Sequence, residues 1–267
     1  MKSILSLFFI LTLNIASAQI DVNQLKNDVV REGKLLYQSE RASWLGTDLF
    51  MEKTTDKSNI GGYFSYTENN RPTCIFFSKD ENPKAIGKIK FDIDFNLQKA
   101  DINLSTQNLS ELEKDYVAII KAAKQRIQTD TIFKFYQNTN FNLVPLIDGN
   151  NKKLYILTAS TLNNELVIGN DYLINFNQKN QVTSTEKLHK SLLKFTYGDG
   201  SIGPAHNHLN GFCEIMTPTD ICTTMLYQHL TNWETHYVVT KNYVSIWDCK
   251  KNELVVMKHE DWKKIQE

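Results

Sequence analysis

Apolar positions recur at three- and four-residue steps from Asp21 to about Ser43, at Val22, Leu25, Val29, Val30, Leu35 and Leu36, with charges between them. That spacing predicts an amphipathic helix, with Gly46 and the Thr47-Asp48 pair ending or bending it. From Leu49 to about Ser105 the texture changes to short β-rich runs at 62–66, 74–77, 88–95 and 100–104. Turn signals at 68–72, 80–83 and 96–98 separate them. The run 88–95 alternates polar and apolar, as an antiparallel strand with one wet face does. Ser110-Glu-Leu-Glu113 has the capping-box pattern and opens a helix to about Gln128, with Leu112, Tyr116, Ile119, Ile120, Ala123 and Ile127 on one face. Residues 131–142 read as a link or an irregular strand.

A β meander then follows at 154–158, 165–168, 172–176 and 181–195, and after it a loop at 198–200. A helix is expected from about Pro218 to Thr231, then strands at 236–240, 243–248 and 254–258 and a short polar helix to the end. Together these elements predict an α+β fold. A helix and antiparallel-sheet unit spans 19–135, and a second α+β unit with a meander, a helix and C-terminal strands spans 140–267. Arg31, Glu40, Arg41 and Trp44 fall on the first helix, where a solvated face accounts for them without chemistry.

The first eighteen residues alter the setting. A positive start at Lys2, an apolar stretch from Ile4 to Ile15 and Ala16-Ser17-Ala18 before Gln19 form the pattern of a secretory signal peptide. The expected mature chain, 19–267, is therefore secreted or periplasmic. The full chain has 30 basic and 30 acidic residues, so loss of Lys2 leaves 29 against 30, a net charge of −1. That balance argues against nucleic acid or an anionic membrane as partner. No second run of about 18 apolar residues predicts a membrane span. The four cysteines, Cys74, Cys213, Cys222 and Cys249, permit disulfides in an oxidising compartment, with three pairings open. Cys222 sits on an apolar helix face, where a buried free thiol fits equally.

The densest chemistry lies in 203–226. His206 and His208 are two apart on an expected strand, so both imidazoles face one side and can meet one ion. Thr217-Pro218-Thr219-Asp220 combines a Thr cap, Pro at the first helical position and an acid three residues after the cap. Asp220 is thereby either a further metal ligand or simply a helix-capping acid. His206, His208, Cys213 and Cys222 form an alternative, closed structural zinc set. A Cys–His nucleophilic dyad lacks a recognisable nucleophile turn. His229 and His236, near a helix end, are expected to stabilise its last turn.

His206-x-His208 followed by Thr217-x-x-Asp220 resembles the metal motif of the JAMM/MPN metalloproteases, which runs His-x-His, seven residues, Ser-x-x-Asp. The resemblance covers about 150–258, where a meander precedes the histidines, a helix starts at the acid and a strand pair follows. It implies a zinc site with His206, His208 and Asp220 as ligands, a glutamate as general base and Thr217 in the place of the serine. Glu165, 41 residues before His206, lies roughly where the family has its base, and Glu186 is the other candidate. The departures are eight residues rather than seven before Thr217, Leu209 instead of proline, and Thr for Ser. The expected function is a secreted zinc-dependent hydrolase acting on an amide or isopeptide bond of a peptide or protein. The alternative is a secreted or envelope binding protein that keeps the fold without an active metal site.

Overall fold

A computed structural model describes residues 21–196, 203–208 and 213–266. The expected signal peptide, the loop at 198–200 and Leu209 lie outside these residues.

Helix α1 (Val22–Lys53) starts at Asp21, whose side chain accepts from the amides of Asn23 and Gln24. It continues through Gly46 rather than stopping there. A Cβ at Gly46 would stand 2.5 Å from the Cβ of Cys74, so this glycine serves close packing against the neighbouring sheet and not termination. That sheet comprises β1 (Ile60–Glu68), β2 (Arg71–Ser78), β3 (Lys84–Lys90), β4 (Asp101–Asn103) and β5 (Gln107–Asn108), in the order β1-β2-β3-β4 with β5 beside β3. The strand expected at 88–95 instead begins earlier and ends at Lys90. Phe91 and Phe95 leave the ladder to join a core with Phe50, Cys74 and Phe76. Helix α2 (Glu111–Thr129) begins with the predicted capping box between Ser110 and Glu113.

The link read at 131–142 gives way to a strand at residue 139. There follow β6 (Thr139–Asp148), β7 (Asn151–Ser160), β8 (Glu165–Gly169), β9 (Tyr172–Phe176), β10 (Val182–Lys187) and β11 (Leu192–Thr196). These strands do not form a simple meander. The sheet order is β10-β9-β7-β6, while β8 leaves it to pair with β11. One apolar core joins Phe64, Ile75, Tyr116 and Ile119 to Leu154, Ile156 and Ile174 across the two sheets.

The last part contains β12 (Ala205–Asn207), α3 (Pro218–Thr231), β13 (Thr235–Val239), β14 (Tyr243–Asp248), β15 (Glu253–Lys258) and α4 (His259–Gln266). Its sheet runs β12-β13-β14-β15 in space, with β12 parallel to β13 and the other pairs antiparallel. The architecture is α+β. Val29 of α1 packs into a core with Ile168, Ile221, Val238 and Trp247. Each large side chain buried in this way contributes about 1.5–3 kcal/mol. Gly33 lets α1 approach α3 closely, because a Cβ there would stand 2.8 Å from Ile221 Cβ. The start of α3 is thus held between a long helix and a sheet. Among the described residues no helix is long and apolar enough to cross a membrane.

Candidate metal centre

Three segments converge at the start of α3. The first is the edge strand β12. Gly203 leads into it, where an added Cβ would collide with the Thr235 carbonyl oxygen. The parallel pairing runs from Tyr237 N–H donating to Pro204 O (3.0 Å) to His208 N–H donating to Val239 O (3.0 Å). That register turns His206 and His208 to the same side, as the i, i+2 spacing predicts. Their Nε2 atoms lie 3.1 Å apart.

The second segment is the first turn of α3. Asp220 Oδ2 accepts from Thr217 N–H (2.9 Å) and from the Thr217 hydroxyl (2.7 Å). This cap holds the carboxylate beside the histidines. Oδ2 is 3.4 Å from His208 Nε2, and Oδ1 is 3.5 Å from His206 Nε2.

The third segment is the connection between β10 and β11, which carries His189. Leu188 N–H donates to Asp171 O (2.8 Å) and Asn170 N–H donates to Ser191 O (2.9 Å), fixing this connection on the β8–β9 turn. Gly169, at φ +96°, makes room for Ser191 O in that turn. His189 Nε2 then lies 3.1 Å from Asp220 Oδ1. His189 was not among the ligands expected from sequence. Nothing in its local spacing marks it, since its partners come from elements 17 and more residues away.

The ligand atoms of His189, His206, His208 and Asp220 all lie within 4.8 Å of one another, and the group can hold a metal ion. Its individual contacts of 3.1–3.5 Å match the donor-to-donor spacing of about 3.3–3.5 Å that follows from tetrahedral bonds of about 2.0–2.1 Å. The second ring nitrogens agree. His208 Nδ1 faces Ile215 O at 3.2 Å, His206 Nδ1 faces His236 Nε2 at 3.1 Å, and His189 Nδ1 faces Asp171 Oδ2 at 3.3 Å. The Ile215 carbonyl can only accept, so it draws the His208 ring proton to Nδ1 and leaves that ring's Nε2 lone pair turned inward. With the His206 proton on Nδ1 as well, two lone pairs 3.1 Å apart would repel unless a cation or a shared proton lay between them.

No protein-family model and no curated protein matches this chain. What the group can do follows from its own chemistry.

Burial pushes His206 down to about 4 and His236 down to about 3, so both imidazoles are neutral at ordinary pH. Burial opposes charge on His189 as well, but the Asp220 and Asp171 carboxylates outweigh it and raise this imidazole to about 10. Burial also opposes ionisation of Asp220, and the charge on His189 overrides it, holding the carboxyl well below its usual range. The two His189 contacts are ion-pair approaches without aligned hydrogen bonds, because His189 Nδ1 and Asp220 Oδ1 both lack hydrogen-bond partners. Without an ion, then, a proton on His189 balances two carboxylates. A divalent ion would take over that role and release the proton.

A cleft of about 270 Å³ reaches the three histidines, with Ile168, Leu193 and Lys190 among its walls. Of the other residues named from sequence, Thr217 is 1% exposed and gives its hydroxyl proton to Asp220. Glu165 stands outside the group. Its carboxylate accepts from the Ser160 hydroxyl (2.7 Å) and from Lys194 (3.3 Å). Glu186, itself exposed on β10, accepts from Asn175 and Ser184. Neither Cys213 nor Cys222 contributes a ligand atom to the group, and all four cysteines are free thiols. His236 does not serve the end of α3, as expected from sequence; it is fully buried against His206. His229 does lie in the last turn of that helix. Glu40 is 4% exposed and accepts from Trp44 Nε1 and Asn142 Nδ2, so the reading of that helix face as solvated fails there.

Proposed function

We propose that this is a secreted metal-dependent hydrolase whose ion, zinc by donor type, is held by His189, His206, His208 and Asp220. The observation that carries the reading is the convergence of three Nε2 atoms on one buried carboxylate, with a polar atom facing the Nδ1 of each ring. Three imidazoles and a carboxylate suit zinc. When bound in a site that keeps a position for water, zinc lowers the pKa of that water to about 7 and polarises a carbonyl oxygen. The chain's own part is to hold four donors ready, exclude bulk water and admit a substrate amide through the cleft beside His206 and His208. Thr217 orients Asp220 in this scheme and does not reach the substrate. The shared order His-x-His, then Thr-x-x-Asp at a helix start, supports kinship with the JAMM metalloproteases. His189 is an addition to their pattern, and Glu165 has no part in the proposed chemistry.

Metal analysis of residues 19–267 tests the reading. The expected result is about one zinc per chain, lost in His206→Ala and in His189→Ala. A protein that retains no divalent ion and takes up none on addition would sink it.

A second reading is a metal-stabilised binding protein. It is favoured by the donor count, since four protein ligands already fill a tetrahedral sphere, the mark of structural sites. Cobalt substitution separates the two. A visible spectrum that shifts on adding azide marks an exchangeable position and supports the hydrolase, whereas an unresponsive tetrahedral spectrum supports the binding protein.

A further inference from the structure

Behind His206 runs a chain of hydrogen bonds that ends on another ligand of the same group. His206 Nδ1 meets His236 Nε2 at 3.1 Å, and His236 Nδ1 meets Thr224 Oγ1 at 2.5 Å. Thr224 Oγ1 in turn lies 2.7 Å from the backbone oxygen of Asp220, one helical turn earlier. The carbonyl can only accept, so the Thr224 hydroxyl proton is committed to it. Thr224 then offers His236 a lone pair and no proton, which places the His236 proton on Nδ1. His236 Nε2 is left as an acceptor, so the proton of His206 must sit on Nδ1. The Nε2 lone pair of His206 is thereby turned into the metal group. Reversing the chain would put a proton on His206 Nε2, facing the other ligands, and would orphan the Asp220 carbonyl contact.

We infer that His236, locked by Thr224, is a positioning residue that sets the ligating tautomer of His206 and ties it to the helix turn bearing Asp220. The inference rests on the metal-site reading, yet its first prediction concerns the protein without metal. His236 is 0% exposed and Thr224 is 0% exposed, so water cannot substitute for either partner. Such outer partners of metal-bound histidines typically change metal affinity by about 10–100-fold when removed.

Two measurements on the chain 19–267 test this. Nitrogen-15 NMR of the metal-free protein should show His236 protonated on Nδ1, the minor tautomer of free imidazole, and His206 likewise. A proton on His236 Nε2 would overturn the proposal whatever the protein binds. Zinc affinity, measured by competition with a chromophoric chelator, should fall about 10–100-fold in His236→Phe. It should fall less in Thr224→Val, which frees the tautomer without removing the ring. His236→Gln, which restores an acceptor, should recover most of the affinity. If His236→Phe fails to fold, Thr224→Val and the tautomer decide. Equal zinc affinity in wild type, His236→Phe and Thr224→Val would overturn the positioning role alone. A wild-type protein that binds no zinc would overturn the metal reading, with the tautomer assignment still readable.

Discussion

Helices α2 and α3 begin with the same local device and use it to different ends. At α2 the Glu113 carboxylate accepts from Ser110 N–H (2.8 Å) and the Tyr66 hydroxyl (3.1 Å) and pairs with Lys88 (2.8 Å). Both of its oxygens thus have ordinary partners, and its charge has a cation. At α3 the Asp220 carboxylate completes the same box with Thr217, but its second oxygen has no hydrogen bond and faces only imidazoles. A capping box satisfies one oxygen of its acid, so the function of the residue is decided by what meets the other. A lysine makes a structural tie, whereas His189 and His206, with His208 beside the capped oxygen, make a group that can hold a metal ion.

The largest expected effect separates these two acids. Asp220→Asn should lower zinc affinity by more than about 100-fold, since a first ligand is lost rather than an outer partner. Glu113→Gln should leave zinc affinity unchanged while destabilising the fold by about 1–3 kcal/mol, because Lys88 loses its buried partner. Chelator competition and denaturant unfolding of both variants check this. A metal defect in Glu113→Gln would erase the contrast.

Glu40 offers an intermediate case, a buried acid with two neutral donors and no cation. Burial raises it from 4.5 to about 7, only partly offset by Asn142 and Trp44. In that interval the folded state binds more protons than the unfolded one, so stability falls as pH rises from about 4.5 to 7. Glu113 has the opposite sign. Burial pushes it up, but the Lys88 contact and the Ser110 amide outweigh this and depress it. Its contribution is present above the unfolded value near 4.5 and is lost as pH falls through the lower folded value. Glu40→Gln should therefore be more stable than wild type at pH 8, by roughly 1–3 kcal/mol, and no more stable at pH 4. Equal stability at pH 8 would show that burial does not raise Glu40.

The smallest effects come from the caps. Ser110→Ala and Thr217→Val should each cost about 1 kcal/mol of stability. Only Thr217→Val should also weaken zinc binding, because its hydroxyl holds Asp220 Oδ2. Equal zinc affinity in Thr217→Val and wild type would confine Thr217 to capping.

Both boxes, helix α3 and the pair His206 and His208 were legible in the sequence, because each is written in short spacings that local geometry enforces. His189 and Asp171 were not. They reach the site from turns whose position depends on β8 leaving its sheet to pair with β11, a long-range choice without a local signature. His236 was misassigned for the same reason, since its register beside Trp247 on β14 is what sets it behind His206. Gly46 misled in the other direction. A glycine at that spacing reads as a helix stop, yet its reason for being there is Cys74, 28 residues further along the chain.

The place of His189 between β10 and β11 also bears on chain topology. An ion shared by His189 and His206 would close a loop spanning 17 residue steps, from 189 to 206. In a protein whose four thiols are all unpaired, that closure would act as a reversible cross-link, shrinking the unfolded ensemble much as a disulfide does. Unlike a disulfide, it could be undone by a chelator and not by a reductant.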